Sequence, residues 1–446
     1  MSNIPELKAD VLDAIKTLKA MPDVAQGLQL CVDEEPYAMK EQCTICEIPA
    51  PTFKEEVRGK YLAGLMEQYG LEDVHLDEIG NCVGLLRGTD HGPVIAMGAH
   101  MDTVFPEGTP IKVVQEGNIY RAPGIGDNCS GVRALLQTIR CFTKTGIRPK
   151  GDIYFVATVG EEGNGDIRGS KWFNAHNHVD GFIACDNTDV GRILWAAIGA
   201  HRWRLSIDGK GGHSYAGFGH TPSAIHAMCR AGARVANIRP DVASKSTYTI
   251  GTIKGGTSVN TIAPHCEVDV DIRSLDNDQL LKLETEILGI FEEAVAEENA
   301  MWPIDDEKKV LTLTKTQIGN RPAGQRPHDC PVLQASRAAQ KALGIELTNY
   351  GASSTDANVP VSQGVPATCL SAGGVQMSSH TTDEYFIRQD IHLGPQMIFL
   401  LLTGSVGNFV SRTIITGGQS SKVAHFLYGF SAGFGVCGGG GGGAHA

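Results

Sequence analysis

Residues 96–108 read AMGAHMDTVFPEG. An apolar run of strand length ends on His100 and Asp102. Polar groups at the end of a buried strand are costly unless they are paired. The two therefore either cap the strand or hold something. The same grammar recurs in NCVGLLRG (81–88), PVIAMGAHMD (93–102) and DIYFVATVGEE (152–162). These runs are short, rich in Val and Ile, and interleaved with helical stretches such as 54–70 and 129–144. That pattern predicts an α/β sheet with covering helices.

The pattern changes near residue 196. RWRLSIDGKGG, STYTIGTIKGG and HCEVDVDIRSL alternate with period two, and KKVLTLTKTQ reads as a further strand. PSAIHAMCRAGARVANI and DNDQLLKLETEILGIFEEAVAEEN are helical. Strand–helix–strand–strand–helix–strand is the ferredoxin-like, split βαβ order. We expect this second domain at 197–316, inserted into a first domain built from 1–196 and 317–403. The α/β pattern resumes with helices at 331–343 and 389–402. Residues 404–446 carry GGQSS and six glycines at 438–443, and read as a disordered or foreign tail.

With 446 residues, two domains are the natural expectation. The net charge is −12 and no Lys/Arg run occurs, so nucleic acid is not expected as a partner. No stretch reaches eighteen uninterrupted apolar residues, so no membrane span is expected. The N-terminus has no basic segment followed by an apolar core, which points to the cytoplasm. Twelve cysteines are scattered along the chain. Cys43 and Cys46 form the one close pair and read as the inner face of a helix, with neither a zinc ribbon nor a redox motif expected.

Five segments at strand ends carry possible metal ligands: His100 and Asp102 in GAHMDT, Asp127 in GIGDNCSG, Glu161 and Glu162 in TVGEEG, Asp186 in ACDNTD, and His380 in SSHTTDE. In open α/β sheets, ligands gather beyond the carboxyl ends of the strands. Two imidazoles and several carboxylates suit zinc, with manganese or cobalt as substitutes. A pair of metals about 3.5–4 Å apart needs a bridging carboxylate and further ligands on each side. His100, Asp127, Glu162, Asp186 and His380 supply that number. Asp102 then has a role behind the imidazole of His100, and Glu161 is left over as a general base. Each motif alone has a plainer reading: a strand cap, a solvated turn, or an Asx-turn before a helix. Their number, and their order after strands, favour a site.

These motifs, with GKGGHSYAGFGHTPSAIHA (209–227), GTSVNTIAP (256–264), VDIRS (270–274) and STDANVPVSQGVPA (354–367), resemble the dinuclear zinc exopeptidases. That family includes peptidase T, carboxypeptidase G, aminoacylase, acetylornithine deacetylase and succinyl-diaminopimelate desuccinylase. The resemblance spans roughly residues 40–402 and implies two zinc ions per subunit. His100 and Asp186 would hold one ion, Glu162 and His380 the other, and Asp127 would bridge them. Asp102 would orient His100, Glu161 would be the base, and the Asp127–Asn128 peptide bond would be cis. The inserted domain would be a lid that forms a homodimer. His213 would then reach the partner's active site and help hold an oxyanion, while Asn260 and Arg273 would bind substrate. Plainer readings are a turn residue for His213 and a surface ion pair with Asp271 or Asp276 for Arg273. Glu384 stays open as a supporting or merely structural residue.

The expectation is a metal-dependent hydrolase that cleaves an amide bond in a small substrate with a free carboxylate. An exopeptidase acting on short peptides, close to peptidase T, comes first. An N-acyl amino acid amidohydrolase is the alternative. A non-catalytic scaffold is the distant third, and the intact Glu161 argues against it.

Overall fold

The computed structural model describes residues 4, 6–304 and 306–405. The strand that ends on His100, Ile95–His100, is buried at every position. It lies between Ile153–Thr158 and Gly181–Cys185 and runs parallel to both. Ala367–Leu370 continues the parallel set beside Gly181–Cys185. Helices and loops cover both faces of these strands, which is why they read as unbroken apolar runs. Cys82–Leu86 and Glu72–Leu76 add antiparallel strands on one side. Arg192–Ala197 extends the other side, antiparallel to Ala367–Leu370 and parallel to Asn349–Ser353. The result is a nine-stranded mixed sheet.

Helix Cys129–Thr145 is buried along almost its whole length. Its Phe142 meets Phe399 of the closing helix Leu393–Ser405 edge to face, with ring centroids 4.8 Å apart. Fully burying side chains of this size stabilises the fold by about 1.5–3 kcal/mol each. Three helices, Ala9–Lys19, Pro22–Asp33 and Glu35–Cys46, account for the helical periodicity at the N-terminus. Pro22 opens the second of them, where its missing N–H loses no bond. Cys46 is buried and Cys43 half-buried on the third, as a helix-face pair should be.

A second sheet stands apart from the first. Its order is Thr247–Gly255, His265–Ser274, Gly199–Asp208, Thr312–Arg321, with every neighbour antiparallel. Helices Ala224–Val235 and Asn277–Ala300 cover one face with their own apolar core, including Leu205, Met228, Ile272 and Phe291. Alternating burial along His265–Ser274 leaves Glu267, Asp269, Asp271 and Arg273 on the other face. The last strand runs to Arg321, past residue 316, because Thr316–Arg321 stays paired with Gly199–Asp208 through a register shift between Gln317 and Gly319. The closing helix likewise begins at Leu393 rather than 389. The tail beyond Ser405 lies outside the described residues. No helix among the described residues is long and apolar enough to cross a membrane.

Candidate metal centre

Because the central strands are parallel, their carboxyl ends open on one edge of the sheet. His100 ends one strand, Glu161 and Glu162 follow the next, and Asp186 follows a third. Asp127 arrives from the turn before helix Cys129–Thr145. Its peptide bond to Asn128 is cis. Asn128 caps that helix by accepting from Gly131 N at 3.0 Å, and its amide donates to Cys185 O at 2.8 Å. The Asp127 turn is thus tied to the strand end beside it.

One ligand atom from each of His100, Asp127 and Glu162 lies within 4.8 Å of the others. His100 Nε2 is 3.2 Å from Asp127 Oδ1. His380 Nε2 is 3.3 Å from Asp127 Oδ2 and 3.0 Å from Glu162 Oε1. Asp127 therefore stands between the two imidazoles. Its Oδ1 is buried yet completes no well-formed hydrogen bond, an acceptor still looking for a partner. Asp186 borders the cluster, where burial and the nearby Asp127 charge push its carboxyl up to about 6. Hydrogen bonds to Asp127 and Glu162 raise His380 to about 10. Burial works against charge on His100, but the adjacent Asp102 and Asp127 carboxylates outweigh it and hold its pKa well above the usual range. An imidazole and carboxylate oxygens around an unpartnered acceptor fit a divalent cation.

Asp102 supports the cluster from behind. Its Oδ1 lies 3.4 Å from His100 Nδ1, and its backbone carbonyl is closer, at 3.2 Å. The carboxylate also accepts from the backbone N–H of Glu161 at 2.9 Å and of Glu162 at 3.1 Å, and from the Thr52 hydroxyl at 2.8 Å. Glu384 does similar work on the Asp127 turn. It accepts from the N–H groups of Gly124, Gly126 and Asp127 at 2.8–2.9 Å.

Residues 96–403 match Peptidase family M20/M25/M40. The chain belongs to this family. It is a metal-dependent hydrolase of the peptidase and amidohydrolase type. It is 27% identical over 331 residues to the uncharacterised protein YqjE of Bacillus subtilis, covering 72% of this chain and 84% of that one. Carboxypeptidase G2 of Pseudomonas sp. is 24% identical over 357 residues, 76% of this chain and 82% of its own. The crystal structure of aminopeptidase PepT from Bacillus cereus superposes with a TM-score of 0.68 at 22% identity, covering 83% of this chain and 98% of that one. That likeness carries the fold.

Not every residue singled out in this M20 chain meets at the cluster. His213 and Asn260 come together where two short antiparallel strands, Gly212–His213 and Thr261–Ile262, meet: His213 pairs with Thr261 and Ser214 N donates to Asn260 O at 3.0 Å. Gly211, at φ +61°, makes the bend before it. Arg273 donates to Asp271 at 2.7 Å, the ion pair of its plainer reading. Among the described residues, none of these three bonds to the cluster. His201 and His265 pair with Glu284 and Asp208, and His328 with the Tyr350 hydroxyl.

One participant was not visible in the sequence. Arg321 donates to Glu161 Oε1 at 2.8 Å and to the Glu161 carbonyl. Burial nevertheless pushes the Glu161 carboxyl well above its usual range, against the pull of Arg321 and His100. Nothing in NRPAG marks Arg321; only the return of the chain from the second sheet to the first places it there. Asp356, in the STDAN stretch quoted above without a role, accepts from the Thr158 hydroxyl, with its Oδ1 buried and unpartnered.

Proposed function

We propose that this chain is a dinuclear metallo-exopeptidase acting on short peptides with a free carboxylate. The observation that carries the reading is the placing of Asp127 between His100 and His380, with Glu162 on the same cluster and Glu161 beside it. His100 and Asp186 would hold one zinc ion, Glu162 and His380 the other, with Asp127 shared and manganese or cobalt as substitutes. Bound there, the ions supply Lewis acidity to a water and to the scissile carbonyl.

The residues of the chain do the rest. Asp102 fixes the His100 ring and the backbone of Glu161 and Glu162, so that the ligands need not reorganise on binding. Glu161 takes a proton from the attacking water and returns it to the leaving amine. His213, offered by the lid of a second subunit, donates to the oxyanion as it forms. Asn260 and Arg273 grip the substrate, Arg273 exchanging Asp271 for the substrate carboxylate. This division of labour makes the inserted unit, expected at 197–316 and carried to Arg321 by its last strand, a lid and dimerisation domain between two catalytic segments. The exposed edge strand Thr247–Gly255, with Ile253 63% exposed, supports pairing with a second copy. The cytoplasm is the proposed compartment, in keeping with the free thiols of the described cysteines.

An N-acyl amino acid deacylase would use the same machinery. The test is metal content per chain, with hydrolysis of di- and tripeptides and of N-acetyl amino acids measured before and after chelation. About two metals per chain, and peptide cleavage lost on chelation and restored by zinc, manganese or cobalt, is the expected result. Cleavage of N-acetyl amino acids alone would move the assignment to the deacylase. A protein that takes up no metal would overturn both.

A further inference from the structure

Arg321 is the last residue of the lid strand Thr312–Arg321, paired in register with Ala200. The chain then returns at once to the large sheet, where Gly324 and Gln325 pair with Ala197 and Ala196. Arg321 therefore stands where the lid joins the catalytic sheet. Its side chain is 6% exposed and points into the turn that carries Glu161. Nη1 donates to Glu161 Oε1 at 2.8 Å and to Ser354 Oγ at 3.2 Å, and Nη2 donates to the Glu161 carbonyl. Two neighbours tie the same turn to the same root of the lid. Asn320 N donates to Asp166 Oδ2 at 2.7 Å, and Arg202 Nη1 donates to Gly163 O at 2.8 Å. Among the described residues, Glu161 Oε2 has no hydrogen-bond donor.

We propose that Arg321 is a positioning residue that pins one oxygen of Glu161 from the root of the lid and leaves the other free to take the proton. The inference rests on the reading of Glu161 as general base. Its physical basis is the fork of the guanidinium. Two N–H groups in fixed geometry hold the carboxylate and the carbonyl of one residue together, which sets the side chain relative to its own backbone. A lysine offers a point charge without that fork. An oxygen displaced by about 1 Å from its productive place slows a reaction by roughly 10²-fold. The lid is thereby tied to the base as well as to the substrate.

The experiment compares metal-loaded wild type, Arg321→Met, Arg321→Lys, Glu161→Gln and the double variant Glu161→Gln/Arg321→Met. It reads kcat, KM, Tm and metal content. Arg321→Met is expected to lower kcat about 10²-fold, change KM by less than about threefold, and keep its metals. Arg321→Lys should recover part of the loss. In the Glu161→Gln background, Arg321→Met should lower the residual rate by less than about threefold, because the carboxylate that it orients is gone. An equal loss in both backgrounds, or a folded Arg321→Met with wild-type kcat, would overturn the proposal. If Arg321→Met does not fold, Arg321→Lys carries the same comparison in both backgrounds. Wild-type activity in Glu161→Gln would instead overturn the base assignment, and the proposal with it. An inactive Glu161→Gln beside a fully active Arg321→Met would overturn the Arg321 role alone.

Discussion

The Asp102 carboxylate accepts the backbone N–H of Glu161 at 2.9 Å. That bond joins the end of one strand to the turn after its neighbour. Asp102 thus supports more than the His100 ring: it also sets the turn from which Glu161 and Glu162 project. Asp102→Asn should weaken metal binding about 10–100-fold. An amide has one acceptor oxygen, so one of the two backbone N–H groups would face an NH₂ group. A stability loss of about 1–3 kcal/mol is expected as well. Metal titration and thermal unfolding of the variant check both, and unchanged metal affinity would limit Asp102 to a structural role.

Glu161→Gln should keep both metals and lose about 10²–10⁴-fold in kcat, the usual range for removing a general base. Metal analysis and steady-state kinetics on the same preparation decide it.

Glu384 is almost fully buried, and its two oxygens accept from three N–H groups of the Asp127 turn. Glu384→Gln puts an NH₂ group against at least one of those donors. Weaker metal binding, by about 10-fold or more, is expected, with little change in KM for enzyme that is kept saturated with metal. Affinity equal to wild type would show that the turn holds itself.

His213 lies on a short strand paired with Thr261–Ile262, and none of its bonds is to the cluster. His213→Ala should lose activity without losing metal. Mixed dimers of His213→Ala and Glu161→Gln subunits should regain part of it, because one of the two sites would then have both intact residues. Verified mixed dimers without recovery would count against the action of His213 across subunits.

Far from the site, Arg140 lies between the rings of Tyr37 and Tyr69 and binds Glu34 at 2.6 Å and Glu41 at 2.9 Å. Burial alone would raise the Glu34 pKa, but hydrogen bonds from Lys144 and Arg140 outweigh it and hold it below the usual carboxylate range. A carboxylate whose folded pKa is depressed stabilises the fold above its unfolded pKa, and that stabilisation is lost as pH falls through the folded value. Glu34→Gln should therefore cost about 1–2 kcal/mol at pH 7, with Arg140 still held by Glu41. The difference in Tm from wild type should close below about pH 4. A gap that persists in acid would assign the loss to packing.

The sequence by itself determined the parallel core and the ligand types at its ends. Ile95–His100 and Ile153–Thr158 are buried on both faces, so they read as apolar runs, and the polar residues that end them stand out against that background. Alternating positions in 265–274 marked a strand with one open face for the same local reason. Which distant groups meet is not written in that local pattern: the resemblance alone grouped His380 with Glu162, and only the tertiary structure brought Arg321 to Glu161. His380 reaches Glu162 across 218 residues, and Arg321 reaches Glu161 across 160. Periodicity is written in near neighbours, because side chains on one face recur every two or three to four residues. The choice of a hydrogen-bond partner depends instead on where packed layers bring chain ends together. The strand that ends on Arg321 carries no local mark of its destination.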